Sequence, residues 1–292
     1  MPQAWLADRA VLAVSGDDAR EFLDRLATNA VDRIGDGEAG YGALLTPQGK
    51  IIADFICFAA PADGVPRYLL DTPRAVAADL AKRLTVYKLR AKVAVADGGD
   101  NVRVLAGWDT PAPAVPPGGA VATDPRLPAL GWRAVVPTDA TPTADVDERA
   151  YHAHRVAFGV PEGGRDFAFN DAFPHEALMD QTGGVAFDKG CYIGQEVVSR
   201  MQHRGTARTR VVPVAYEGIA PPSGTEVLAG ERPLGRTGSV AGQTGLALLR
   251  LDRAADALAA GEPITAGGIP LRLAKPDWVR FAFPGDPPQP VA

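Results

Sequence analysis

Asp188-Lys189-Gly190-Cys191-Tyr192-Ile193-Gly194-Gln195-Glu196, running on through Val197 to Arg204, sits where the texture of the chain changes. Gly190 and Gly194 allow tight turns, and Gln195 to Met201 can wind into a short helix with Val197, Val198 and Met201 inward. That places Cys191 just ahead of a helix N-terminus. Lys189 is two residues away, and Arg200, His203 and Arg204 follow. Positive charge and a helix dipole both favour a thiolate, so this thiol is a candidate reactive group. The same spacing also suits a buried cysteine in a structural turn, because free cysteines are among the most buried residues. The residues alone leave both readings open.

Downstream of about Gly205 the chain breaks into short strand candidates between Gly/Pro turns. These are Arg208–Ala215, Thr225–Leu228, Leu246–Leu251, Leu271–Leu273 and Trp278–Phe283, with a helical turn at Ala254–Ala260. Such a pattern suggests a separate small barrel or sandwich. The Pro-rich tail over 284–292 is expected to be disordered. Upstream, Ala10–Val14 reads as a strand. A helix follows, capped by Ser15, with Ala19, Phe22, Leu23, Leu26 and Ala30 at helical spacing. Tyr41–Leu45 and Ile51–Phe58 flank the turn Thr46-Pro47-Gln48-Gly49 as a hairpin. Arg67–Leu70 leads into a helix capped by Thr72, and Lys92–Val95 and Val102–Leu105 add strands. Stretches 110–119 and 138–145 read as loops, and a further helix spans about Asp147–Phe158. Helices and strands mix without βαβ alternation, so the fold class is α+β.

Composition excludes several functions. The chain has 292 residues, 46% hydrophobic and 22% charged, enough to bury a core and to form two domains. Its net charge of −5 argues against a nucleic-acid coat. No apolar run approaches the roughly 18 residues that span a bilayer. The first residues carry no export signal, and two cysteines make no disulfide framework, which suits a reducing cytosol. A cytoplasmic protein is therefore expected. His152 and His154, two apart and without a cysteine or carboxylate pair beside them, predict no metal site.

Lys189–Glu196 closely resembles the K-G-C-Y-x-G-Q-E signature of the YgfZ family, folate-binding proteins related to the glycine-cleavage T-protein and to the mitochondrial factor that matures iron–sulfur proteins. The likeness extends to Arg9–Asn29, to Leu44-Leu45-Thr46-Pro47-Gln48-Gly49-Lys50, to Gly159-Val160-Pro161 and to Phe173–Gly205. It implies a T-protein-like fold: two interleaved α+β subdomains over 1–204, the inner one about 41–99, and a C-terminal β-barrel over 205–283, around a cavity for tetrahydrofolate. It also implies Cys191 as the essential nucleophile or transient cluster ligand, with Lys189 tuning it, Gly190 and Gly194 shaping the loop, and Gln195 and Glu196 holding it. Asp54, Tyr192, Gln195, Glu196 and Arg204 become candidate folate contacts.

Two departures from the aminomethyltransferase relatives stand out. In Gly49-Lys50-Ile51-Ile52-Ala53-Asp54 the second acid of their G-G-I-x-D-D strand is kept as Asp54, and the first is Ala53. Their folate-binding glutamate matches Ala157, with Glu162 or Glu176 as possible substitutes. By pattern alone Asp54 faces either solvent or a cavity. Arg200, His203, Arg204, Arg208 and Arg210 suit folate's glutamyl carboxylates, an RNA phosphate, or ordinary helix-end charge. The function expected is a folate-binding assistant in assembly or repair of iron–sulfur clusters, with iron–sulfur client or assembly proteins as partners. Clients that thiolate tRNA would make any effect on tRNA modification indirect. The alternatives are a tetrahydrofolate-dependent aminomethyltransferase and a folate sensor without chemistry. The reading leans away from an enzyme and expects a monomer, with no direct nucleic-acid or membrane contact and no stably bound metal.

Overall fold

The computed structural model describes residues 2–140, 143–205 and 207–286. Residues 141 and 142 of the 138–145 stretch, and 287–292 of the expected disordered tail, lie outside the described residues. The first part of the chain runs β1 (Gln3–Trp5), β2 (Arg9–Ser15), α1 (Ala19–Leu26), β3 (Ala39–Leu45), β4 (Ile51–Ala59), β5 (Arg67–Pro73), α2 (Arg74–Tyr87) and β6 (Ala94–Asp97). β7 (Val102–Gly107), β8 (Ala120–Thr123), β9 (Trp132–Pro137), α3 (Glu148–Ala157) and α4 (Gln195–Arg204) follow. One sheet has the order β3-β4-β5-β2-β6 and the other β1-β7-β9-β8. Consecutive strands β1 and β2 lie in different sheets, as do β6 and β7, so the chain crosses between the layers more than once.

All nine residues of β4 are buried, because each face of its sheet is covered. Phe55, Cys57 and Ala59 pack with Phe22 and Leu23 of α1 and Leu80 and Leu84 of α2. Ile56 and Phe58 point the other way, into a core shared with Val104, Val135, Tyr151, Phe167, Met179, Tyr192 and Val198. The period-two rule puts Asp54 on this second face.

The remaining elements are β10 (Thr209–Tyr216), β11 (Glu226–Ala229), β12 (Arg232–Ala241), β13 (Thr244–Arg250), α5 (Leu251–Ala259), β14 (Ile264–Ala266) and β15 (Ile269–Leu273). The six strands close into a barrel in the order β10-β13-β12-β11-β14-β15, which leaves no sheet edge exposed. The α+β class and the T-protein-like architecture are thus observed, with mixed helices and strands followed by a closed barrel.

Several local expectations need correction. Trp278–Phe283 is not a strand; its rings are anchors, with Trp278 Nε1 donating to Phe158 O (2.9 Å) and Phe283 buried. The helical turn at Ala254–Ala260 is a full helix, α5. Ser15 ends β2 and does not cap α1, whose N-cap is Asp18. Thr72 does not cap α2, because its hydroxyl donates to Asp54 O (2.9 Å) inside the core. Asp147 does cap α3, accepting from Ala150 N at 3.1 Å.

A candidate cysteine loop over a charged interior

The loop ahead of α4 is fastened on both sides of its cysteine. Before it, the buried ammonium of Lys189 binds Asp24 O, Asp24 Oδ1 (3.1 Å), Ala27 O (3.0 Å) and Asn29 O (2.7 Å). These oxygens surround the C-terminus of α1, where the helix dipole favours a cation. Burial pulls the Lys189 pKa down and the Asp24 carboxylate holds it up. Asp188 adds an exposed ion pair with Arg33 (2.8 Å). After the cysteine, Tyr192 is buried in the core that contains Tyr41 and Val198, and burial pushes its phenol up to about 12. Gly194 then takes φ 82° at the N-cap of α4. A Cβ there would lie 2.6 Å from Thr46 O and 3.0 Å from Gly49 Cα, so only glycine lets the loop rest on the β3–β4 turn. Gly49 is matched in turn, for its own Cβ would press on Val197 at 3.0 Å.

Cys191 is the exposed crest of this loop. The buried-cysteine alternative therefore fails for Cys191 and holds for Cys57, which is 2% exposed and whose pKa burial raises. Lys189 Nζ is held by oxygens at and just beyond the end of α1. Gly190 has neither a positive φ nor a neighbour within 4 Å of a Cβ, so neither backbone strain nor crowding requires glycine there. Gln195 Nε2 donates to Gly190 O at 3.4 Å, a weak brace across the loop. Glu196 and Arg204 are exposed on α4.

Asp54 is 3% exposed and faces the interior, which excludes the solvent-facing alternative. Its Oδ2 accepts from Tyr41 OH (2.9 Å), while Oδ1 is buried without a hydrogen-bond partner. Burial raises its pKa, and nearby Arg9 opposes that shift. Gly163 packs tightly against the free oxygen: a Cβ there would come within 2.8 Å of Oδ1 and 2.3 Å of the Phe169 ring, so only glycine allows this approach. Pterins present a donor-rich edge, which an unpaired buried acceptor such as Oδ1 could take.

Around Asp54 lies a charge network that sequence reasoning missed. Arg9 Nε holds Asp71 Oδ1 at 2.6 Å and Arg133 Nη1 holds Asp71 Oδ2 at 2.7 Å. Arg126 pairs with Asp124 at 2.7 Å, and Arg126 and Arg133 both donate to Tyr151 OH. Arg155 binds Asp166 Oδ2 (2.6 Å) and Glu162 Oε2 (3.0 Å), and Arg9 reaches Glu162 Oε1 at 3.2 Å. Charges taken this far from water persist only when paired. Arg155 also donates to Ser239 Oγ (2.6 Å) on β12, and Asp166 accepts from Ser239 N (2.7 Å), which stitches the barrel to this interior.

The network settles where the carboxylates stand. Ala157 is exposed at the end of α3, so a glutamate at that position would not reach the interior. Glu162 is interior, but arginines claim both of its oxygens. Glu176 accepts from Phe173 N at 2.8 Å. Asp54 Oδ1 and Glu162 Oε2 are both buried without a hydrogen-bond partner, but Oε2 lies 3.0 Å from the Arg155 guanidinium whereas no ion pair is formed by Asp54 among the described residues. The basic run is divided: Arg210 is buried on Asp180 (2.8 Å) and lies 4.2 Å from the Phe281 ring, while Arg200, His203, Arg204 and Arg208 are exposed.

Comparison with known proteins agrees with this architecture. The CAF17, C-terminal beta-barrel domain family matches residues 208–281, and the GCVT N-terminal domain family matches 9–106. The glycine cleavage system aminomethyltransferase T of Bartonella henselae superposes with a TM-score of 0.73, covering 95% of this chain and 86% of its own at 15% identity, a likeness of fold. The mouse protein named iron-sulfur cluster assembly factor IBA57, mitochondrial, is 34% identical over 85% of this chain and 78% of its own. The homologue of that name from Mycosarcoma maydis is 34% identical over 75% of this chain, which spans only 59% of that relative's length. These names point to IBA57 rather than to YgfZ. They also overturn the cytoplasmic expectation, because each places its protein in the mitochondrion. No helix among the described residues is long and apolar enough to cross a membrane. With a relative matched along most of both lengths, this chain belongs to the IBA57 (CAF17) family, built on the aminomethyltransferase fold.

Proposed function

We propose that this protein assists the assembly of iron–sulfur clusters on client proteins by presenting Cys191 as a ligand. The observation that carries the reading is an exposed thiol on a loop fastened by Lys189 before it and by Tyr192 and Gly194 after it. A pre-positioned ligand binds without the entropy cost of ordering a loop. Thiolate sulfur is a soft ligand suited to iron, and its proton leaves as the metal–sulfur bond forms. One cysteine cannot complete a cluster's coordination, so the cluster is cargo shared with a partner that supplies the remaining ligands. The names of the IBA57 relatives support the same reading.

Reduced folate is the second element of the proposal, held by Asp54 through its free Oδ1 and oriented by Tyr41. When bound, tetrahydrofolate supplies nitrogens that carry one-carbon units. Asp54, the Gly163 backbone and the Phe169 ring would bind and enclose it.

In cells lacking the protein, wild type should restore a [4Fe–4S] client enzyme and Cys191→Ser should not; equal rescue by both overturns the cysteine role. Calorimetric titration with tetrahydrofolate should show at least tenfold weaker binding by Asp54→Asn. No binding to the wild type removes the folate element and leaves the cysteine element standing. Methylene transfer from an aminomethyl-loaded lipoyl protein would instead establish a transferase.

A further inference from the structure

α4 docks on the core by one side and leaves the other bare. Val198 is buried, Val197 packs on Gly49, and Gln202 Oε1 accepts from His175 Nε2 at 2.9 Å. The outward residues Glu196, Arg200, His203 and Arg204 are exposed and recur at helical intervals, so they form one stripe. Over the 10 residues of α4 the helical rise carries this stripe about 15 Å away from the Cys191 loop. Past the end of α4, Arg208 and Arg280 continue it. Both are exposed, and they line a cleft of about 830 Å³ between α4, β10, α5 and the 280–286 segment.

These cations are set apart because nothing in the chain answers them. Among the described residues, Arg200, Arg204, Arg208 and Arg280 form no ion pair, side-chain hydrogen bond or ring contact, and of the other arginines only Arg90 and Arg149 share that condition. The acids of the cleft are engaged elsewhere: Asp180 with Arg210 (2.8 Å), Asp252 with Arg250 (2.7 Å) and Asp286 with Lys275 (2.5 Å). A helix dipole accounts for His203 and Arg204 in the last turn of α4. It does not account for Arg208 and Arg280, which belong to no helix. In a chain of net charge −5, unanswered cations gathered on one face reverse the field locally.

We propose that the α4 stripe and the adjoining cleft are the docking surface for an acidic face of the protein that shares the cluster with Cys191. The inference rests on the cysteine reading above and adds the chemistry of the partner. Aspartate and glutamate side chains meet Arg200, Arg204, Arg208 and Arg280, while the partner's own cluster ligands face the thiol. The stripe begins where the cysteine loop ends, so one partner spans both. Opposite charge speeds encounter and fixes register, which a ligand exchange at a single sulfur requires. RNA or an anionic membrane would also find these cations, but neither brings thiolates to complete a cluster.

The test uses the full chain and a fluorescein-labelled polyglutamate peptide as a stand-in for the acidic face. Anisotropy should show binding that weakens as NaCl is raised. The double variant Arg200→Glu, Arg204→Glu should bind at least about tenfold more weakly, and Arg90→Glu, just past α2, should bind like wild type. Cys191→Ser should also bind the peptide like wild type, so failure of the cysteine reading leaves this measurement standing. In cells lacking the protein, the glutamate pair should fail to restore a [4Fe–4S] client enzyme although Cys191 is intact, and Arg200→Lys with Arg204→Lys should restore it. Circular dichroism melts check folding; if the glutamate pair unfolds, Arg208→Glu with Arg280→Glu, off the helix, takes its place. No peptide binding by wild type, unchanged affinity in the folded glutamate pair, or full rescue by that pair overturns the docking surface. Tighter binding to single-stranded RNA, or to vesicles of phosphatidylserine and phosphatidylcholine in equal parts, overturns the acidic protein as its occupant.

Discussion

β4 and the 188–196 loop each carry one of the two cysteines, and packing has opposite consequences for them. On β4, both faces are covered by core, and Cys57 is walled in beneath α1 and α2. In the loop, burial is given to the neighbours: Lys189 and Tyr192 go inward while the residue between them and Gly190 crests outward. A reactive position is built here by fixing what flanks it rather than by enclosing the group itself.

The largest expected effect tests that contrast directly. Iodoacetamide should modify Cys191 in the native protein at a rate near that of a free thiol. Cys57 should wait for unfolding and react slower by a factor on the order of 10³ or more. Peptide mass spectrometry over a time course measures both, and comparable rates would erase the distinction.

On the interior side, Arg155→Met leaves Asp166 and Glu162 without their shared cation. Urea unfolding should show a loss of about 3–5 kcal/mol, and the barrel should loosen first because its tie through Ser239 goes too. On the loop side, Lys189→Met strands several carbonyls at the end of α1. A loss of about 1–3 kcal/mol is expected, with faster amide exchange over 188–193. Gly194→Ala forces a side chain against Thr46 O at positive φ, and about 1–3 kcal/mol should be lost. Gly190→Ala, which meets nothing, should stay within about 0.5 kcal/mol of wild type. Equal costs at the two glycines would show that the β3–β4 turn does not set the loop.

The smallest effect is a slope. Burial, with Asp8 beside it, raises the Glu148 carboxyl from 4.5 to about 7. A pKa raised by folding adds stability that is whole below pH 4.5 and is lost as pH climbs to about 7. Glu148→Gln should flatten the fall in unfolding free energy across that window, measured by denaturant titration at several pH values.

Much of this arrangement is legible in the order of residues, for reasons that differ by element. Helical spacing around Phe22 and Leu23 marks α1, and the run over Asp147–Phe158 marks α3, because local geometry dictates those patterns. β12 escapes notice because Gly235, Thr237, Gly238 and Ser239 read as loop; only closure of the barrel makes a strand of them. Trp278, Phe281 and Phe283 mimic a strand through composition while serving as separate anchors. The cysteine motif is visible because its parts are contiguous. Nothing in sequence distinguishes Arg9, Arg126, Arg133 and Arg155 from surface arginines, since their partners arrive through topology. Asp8 meets His152 for the same reason, 3.6 Å away though far off in sequence.

The meeting of Gly49 and Gly194 gives a hairpin early in the chain leverage over a thiol that comes much later. One residue more or fewer in the Thr46–Gly49 turn would tilt the platform under Cys191 without altering a single atom of the loop that bears it. Changes in the reach of this sulfur toward a partner are therefore as readily made by lengthening or shortening a distant bend as by editing the cysteine's own surroundings.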